Sequence, residues 1–195
     1  VDRSAVVDAS GRGINRNLLI ALMSSIVLRE HPGTTILTDS VTSNGLTDFI
    51  NQLGGKHFRY RRGYKNVIDK GVALNIEGEP CWLAIETSGH GAMRENFMLD
   101  DGAYLVVKIL IEMVRLRLAG EDRGIAALLE RLKEPQDEGE FRLKADTTTK
   151  DDHAQGDDFA QKADQVLEDF KSFVDSEQVP GWSLEPVNHE GYRVT

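Results

Sequence analysis

Cysteine occurs once in the 195 residues, at Cys81, so no internal disulfide can staple this chain and its stability must come from packing. A lone thiol fits a reducing compartment. The expected setting is the cytoplasm, or a plastid where a transit segment precedes the sequence. Long apolar runs are also missing. The greasiest stretch, Leu18 to Met23 with Ile26 to Leu28 behind it, is broken by Ser24 and Ser25 and is too short to cross a bilayer. No secretory signal is visible, since Asp2 and Arg3 already stand among the first seven residues. Basic charge is short as well, with 23 Lys+Arg against 32 Asp+Glu and a net of −9. Such a surface argues against nucleic-acid binding. Neither nucleic acid nor membrane is expected as a partner.

The negative charge is unevenly spread. Residues 1–133 carry 17 basic against 16 acidic side chains, and residues 134–195 carry 6 against 16. A shift of that size near Pro135 marks a domain boundary. Before it, apolar runs alternate with helical patterns. A helix is expected over residues 15–31, capped by Asn15, stopped by Pro32-Gly33 and apolar on nearly all sides, hence buried. Strands follow over 34–38 and 56–60, separated by a helix over 43–53 that Gly54-Gly55 closes. A short helix over 64–70, a strand over 81–85, a long helix from Asp100-Asp101-Gly102 through Leu118 and a last helix over 125–132 complete the pattern. The continuous apolar run of 81–85 suits the middle of a covered sheet. The predicted fold is therefore α/β, a layered sheet with helices on both faces, followed by a partial α+β piece. In that second piece Phe159, Ala163, Val166, Leu167, Phe170, Phe173 and Val174 form one helical stripe. Residues 140–144, 182–184 and 192–194 are strand candidates, and 146–156 reads as a polar loop.

The chemistry concentrates in Ile85-Glu86-Thr87-Ser88-Gly89-His90-Gly91. A buried strand there delivers a carboxylate, a hydroxyl and an imidazole to its carboxyl end, where open α/β sheets bind ligands. Glu86 can accept from two adjacent sugar hydroxyls, and Ser88 can donate or accept. Gly89 and Gly91 allow close backbone approach. His90 can exchange a proton or orient a phosphate. The same residues also suit a plain polar turn facing water. Gly11-Arg12-Gly13 lacks the third glycine of a dinucleotide fingerprint and reads as a turn and helix cap. His31, His57, His153 and His189 lack metal-ligand spacing, so no zinc site is expected.

Glu-x-Ser-Gly-His after an apolar strand resembles the sugar-recognition loop of the α-D-phosphohexomutases (phosphoglucomutase, phosphomannomutase and phosphoglucosamine mutase). Val1-Asp2-Arg3 resembles the end of that family's metal loop, Asp-x-Asp-x-Asp-Arg, with the third aspartate retained. Ile14-Asn15-Arg16-Asn17, Thr42-Ser43-Asn44-Gly45-Leu46 and Asp100-Asp101-Gly102 follow in the family order. The resemblance covers residues 1–133 as the sugar-binding third domain. It extends weakly over 134–195 as a linker and the incomplete fourth.

The resemblance implies a phosphoserine that exchanges its phosphoryl group with a hexose phosphate through a bisphosphate intermediate, interconverting the 1- and 6-phosphates. It implies Mg²⁺ held by three aspartates, of which Asp2 is one, and Arg3 as a cation beside the phosphoryl group. Glu86, Ser88 and Gly89 would bind the sugar, and His90 would position it or serve as acid and base. Gly63-Tyr64-Lys65 resembles a Gly-x-Lys stretch whose lysine faces the substrate. Arg61 and Arg62 could flank a phosphate, whereas Arg59, Lys70, Arg94 and Glu95 read as solvent-facing. The implied partners are glucose or mannose 1- or 6-phosphate and the remaining domains of a longer parent enzyme.

Competing readings are a non-catalytic sugar-phosphate binding or regulatory module on the same fold and a phosphoglucosamine mutase. A haloacid-dehalogenase-type phosphatase is disfavoured, because Asp2 lacks the partner aspartate that chemistry needs. No Ser-His-Asn-Pro-like loop occurs, and two metal-loop aspartates would lie before Val1, as expected of a piece of a longer chain. The chain alone is therefore expected to show no mutase turnover and to bind Mg²⁺ weakly. A coupled assay checks this, and turnover by the isolated chain would contradict it.

Overall fold

The structure, a computed structural model, describes residues 2–133 and 157–195, the latter with side chains from residue 161 onward. The chain divides into two units, Val1–Gln136 and Asp137–Thr195. In the first, a short hairpin of β1 (Val6–Val7) and β2 (Gly13–Ile14) precedes α1 (Asn17–Glu30). There follow β3 (Thr35–Asp39), α2 (Asn44–Gln52), β4 (Lys56–Tyr60), α3 (Tyr64–Ile76), β5 (Cys81–Ile85), β6 (Gly91–Met93) and α4 (Gly102–Leu118). The main sheet has the order β4-β3-β5-β6, with β3 parallel to β4 and β5, and β6 antiparallel to β5.

Central β3 is buried at all five positions, as a parallel strand covered on both faces must be. One face of the sheet presents Ile36, Leu83, Ile85 and Met93 to a core built with α1, α2 and α4. The other presents Leu37, Ala84 and Ala92 to α3. Helix α1 lies deep in the larger core, with Leu19, Ile20, Leu22, Met23, Ile26 and Val27 at most 1% exposed. Its all-round apolar sequence follows from having protein on every side. Helix α2 starts where expected, because the Ser43 hydroxyl accepts from Leu46 N–H at 3.1 Å.

Four expectations change. Helix α1 begins at Asn17 rather than Asn15, and its N-cap is Arg16 at φ +53° with no side-chain cap. The backbone carbonyls of Asn15 and Arg16 accept from Leu18 and Ile20 instead. Helix α3 runs past Lys70 to Ile76, through Gly71. A β-carbon on Gly71 would stand 2.7 Å from Met98 Cε and 3.2 Å from Ala84 Cβ, so the glycine permits close helix-on-sheet packing rather than breaking the helix. The helix expected over 125–132 is a 3₁₀ segment, Gly124–Leu129. Gly11-Arg12-Gly13 is the hairpin turn, closed by Asp8 Oδ1 accepting from Ser10 and Arg12, and not a helix cap.

In the second unit the expected stripe lies on α5 (Asp157–Asp175). Residues 182–184 and 192–194 form a single antiparallel bridge, Leu184 with Val194, instead of full strands. The strand candidate at 140–144 and the loop at 146–156 lie outside the described residues. Among the described residues no helix is long and apolar enough to cross a membrane.

One buried charge ties α4 to α1. Glu112 is 1% exposed and accepts from Arg29 at 2.8 Å and from Arg115 at 2.6 and 2.8 Å. The Arg115 hydrogen bonds, with Arg29 beside them, hold its carboxyl below the usual glutamate value despite burial. Glu112→Ala is expected to cost about 3 kcal/mol, the scale for breaking a buried pair. A depressed carboxyl contributes stability above its ordinary value and loses it as pH falls through the lowered one. The urea midpoints of wild type and Glu112→Gln should therefore converge on acidification below about pH 4.

Candidate functional site

Strand β5 ends at Ile85 and β6 begins at Gly91, and the residues between close on themselves. Glu86 N–H donates to the His90 carbonyl at 2.9 Å, and Gly89 N–H to the Glu86 carbonyl at 3.0 Å. Gly89 sits at φ +92°, and its carbonyl accepts from Ser4 N–H at 3.0 Å. A β-carbon at Gly89 would stand 2.6 Å from the Ser4 carbonyl oxygen, so only glycine lets the two backbones meet.

Glu86 is 5% exposed, and each of its oxygens has an internal donor. Oε1 accepts from Gly63 N–H at 2.6 Å, and Oε2 accepts from the hydroxyl of exposed Ser88 at 2.9 Å. Charge-assisted bonds of this kind offset the desolvation of the carboxylate. They also lock the loop to the residue that caps α3. Asp39, at the end of β3, supports the loop from below. Its Oδ2 accepts from Thr87 N–H at 3.1 Å and from the Thr87 hydroxyl at 2.6 Å, while its Oδ1 is buried with no hydrogen-bond partner among the described residues. Burial pushes the Asp39 carboxyl up, against the pull of the Thr87 hydrogen bonds.

His90 is buried at the centre of a chain of contacts. Arg3 Nε–H donates to His90 Nε2 at 2.9 Å, and His90 Nδ1 meets Asp100 Oδ2 at 2.6 Å. An acceptor role at Nε2 places the imidazole proton on Nδ1, where it is donated to Asp100. The Tyr64 ring stacks on the imidazole at 4.8 Å between centroids. Asp100 reaches this position because Phe97 and Met98 both adopt left-handed backbone, at φ +54° and +55°. That conformation costs a non-glycine residue about 1–2 kcal/mol.

Ligand atoms of Asp2, His90 and Asp100 lie within 4.8 Å of one another. Both His90 nitrogens are committed, and the Asp100 oxygens already accept from His90 and from Gly91 N–H. Exposed Asp2 remains the one carboxylate of the three without these ties. Mg²⁺ demands about six oxygen ligands. This set alone does not meet that demand.

The structure thus brings Asp2, Arg3, Glu86, Ser88, Gly89 and His90 together. Lys65 is exposed on the first turn of α3. Arg59 is not solvated as expected. It donates to Ser43 O, Asn44 Oδ1 and Thr47 Oγ1 and secures the start of α2. Lys70 stands 3.8 Å from Glu77 and over the Phe58 ring, Arg61 lies over Tyr60, and Arg94 over Trp82. Glu95 pairs with Lys108 at 3.0 Å instead of facing solvent alone. Tyr64, Asp100 and Asp39 carry no site signature of their own in the sequence. Asp100 was visible as the start of a helix and as part of Asp100-Asp101-Gly102 in the family order, and Tyr64 only as the middle of Gly-x-Lys.

A mixed four-stranded sheet with helices on both faces, and a polar loop at the carboxyl end of β5, define a three-layer α/β/α domain. Residues 15–134 match the family described as phosphoglucomutase/phosphomannomutase, alpha/beta/alpha domain III, and the chain belongs to that family. It is 28% identical over 149 residues to a phosphomannomutase/phosphoglucomutase of Pseudomonas putida, covering 73% of this chain and 31% of the relative. It is 33% identical over 110 residues to a phosphoglucomutase/phosphomannomutase of Thermococcus kodakarensis, covering 56% and 23%. A crystal structure of a phosphoglucomutase/phosphomannomutase family protein from Burkholderia thailandensis shares the fold. It has a TM-score of 0.70 at 23% identity over 99% of this chain and 35% of that one. The chain therefore spans a third or less of the length of the two sequence relatives.

The His90 assignment has a direct check. Long-range ¹H–¹⁵N correlation should show the proton on Nδ1 and a bare Nε2 at neutral pH, and Arg3→Ala should shift the Nε2 resonance. A proton found on Nε2 would contradict the Arg3 contact.

Proposed function

We propose that this chain supplies the sugar-recognition part of a phosphohexomutase that interconverts hexose 1- and 6-phosphates through a phosphoserine and a bisphosphate intermediate. The observation that carries this reading is the joining of Glu86 and Ser88 in one hydrogen-bonded unit on a loop that also holds His90 against Arg3. Glu86 and Ser88 together offer a carboxylate and a hydroxyl to neighbouring ring hydroxyls. The acceptor capacity left on each oxygen receives them. A hexose that must bind in two opposite orientations presents similar adjacent hydroxyls each time, and a paired acceptor of this kind serves both. Residues 1–133 form the sugar-binding domain in this reading, and residues 134–195 a linker and the opening of the next domain.

His90 acts in this reading as a positioning group. Its Nε2 is capped by Arg3, so proton exchange there requires the guanidinium to leave. Arg3 and exposed Lys65 supply positive charge for a phosphate, where positioning and charge neutralisation carry most of the catalysis. Asp2 would offer one oxygen ligand to Mg²⁺, which would supply charge stabilisation at the phosphoryl group. The remaining ligands and the phosphoserine come from elsewhere in the parent protein, so the isolated chain binds substrate without turning it over.

Titration of ¹⁵N-labelled chain with glucose 1-phosphate, and separately with mannose 1-phosphate, should shift the amides of Ser88 to Gly91. Glu86→Gln should weaken the response about tenfold, the worth of roughly 1.4 kcal/mol from a charge-assisted bond. Unmoved loop amides with both sugars would defeat the assignment.

A further inference from the structure

Helix α4 carries its charges on the wrong side for a helix that faces water. Glu112 is buried against Arg29, with Arg115 folded back onto it, and Lys108 turns inward to Glu30 and Glu95. The outer face is left to Val107, Leu110, Ile111, Val114 and Leu118, spaced i, i+3, i+4, i+7 and i+11, with Val106 and Met113 beside them. All are exposed, Leu110 at 53%, Ile111 at 55% and Leu118 at 84%. About three turns of helix thus show solvent a continuous aliphatic stripe, with Arg117 as the exposed charge near its end. The side chains amount to roughly 600 Å² of apolar surface, the size at which patches mark interaction sites.

We propose that this face is a two-fold contact between two copies of the chain, with their α4 helices packed antiparallel about a centre between Leu110 and Ile111. The spacing of the stripe carries the choice of occupant. In that register Leu110 meets Ile111 of the second copy, Val107 meets Val114, and protruding Leu118 meets Ala103, the small exposed residue of the first turn. The large end of one helix fills the hollow end of the other, which a two-fold axis then repeats. Tyr104 falls opposite Arg117, a pairing suited to a cation over a ring. The antiparallel arrangement also sets each helix N-terminus beside the other's C-terminus. Burying both stripes removes roughly 1,200 Å² in total, the lower edge of specific stable interfaces.

Sedimentation of the whole chain tests this. A dimer is expected at about 100 μM, a hundredfold above a micromolar Kd. Leu110→Glu, at an exposed position, should leave the circular dichroism unchanged and weaken the dimer at least 100-fold. For the register, Val107→Cys combined with Val114→Cys should give a covalent dimer on mild oxidation, whereas either cysteine alone should not. The two positions lie about 10 Å apart along one helix and cannot bridge each other within a chain. Cys81 is buried and does not compete. A monomer at all concentrations would mean that a different domain covers the stripe, and it would overturn the proposal. So would a dimer that Leu110→Glu leaves intact, or equal cross-linking by the single and double cysteine variants.

Discussion

The site depends on a backbone passing where side chains would ordinarily forbid it. Residues Arg3 and Ser4 run between Gly89 and Gly102, and a β-carbon on either glycine would press within about 2.6 Å of that backbone. This slot permits the bridge between Arg3 and His90 and the bond from Ser4 N–H to the Gly89 carbonyl. Once the segment is seated, the Arg3 side chain has a fixed origin and its Nε reaches the imidazole. Asp100 approaches the same ring from the other side, just ahead of α4. Two other stretches of chain are thus fastened to one side chain, and the orientation of His90 follows from these contacts rather than from any preference of its own.

The second constraint is electrostatic. Glu86 and Asp39 are both nearly inaccessible to solvent and lie near enough for the Glu86 charge to raise the Asp39 carboxyl. Two carboxylates in such a place are tolerable only if fixed dipoles face them. The dipoles come from the Gly63 and Thr87 amides and from the Ser88 and Thr87 hydroxyls. Each donor lies on the loop or at the start of α3, so the carboxylates stiffen the elements that hold them. The orphaned Asp39 oxygen is the one place where this scheme is incomplete among the described residues.

Much of this was legible in the sequence because its causes are local. The apolar runs that became β3 and β5, the full-round apolarity of α1 and the Ser43 cap act over a few residues and leave a pattern there. Glu86, Ser88 and His90 were legible for the same reason, standing together after a strand. Strand β6 was not legible, since Gly91-Ala92-Met93 is a strand only by pairing with β5. Gly71 read as the end of a helix, because its purpose lies in Met98 and Ala84 across the core. Arg59 read as a surface charge, because Ser43, Asn44 and Thr47 are distant in sequence. The left-handed turn at Phe97 and Met98 breaks a local preference and is held by tertiary pairing on either side.

These features describe a loop whose polar groups are ordered in advance. Arg3 and Asp100 engage both ring nitrogens of His90 and so fix its orientation. A group that recognises a ligand needs its direction set before the ligand arrives, so that little ordering remains to be done on binding. Glu86, His90 and Asp100 each have their geometry fixed by at least two bonds from different elements. Ser88 and Arg3 both combine exposure with a bond to that rigid set, and in the proposed function a ligand would first meet the loop through Ser88. Because the Ser88 hydroxyl donates to Glu86, a sugar hydroxyl donating to Ser88 in the proposed function would strengthen the bond behind it by polarisation. In that reading a contact made at the surface is passed to a carboxylate that solvent barely touches.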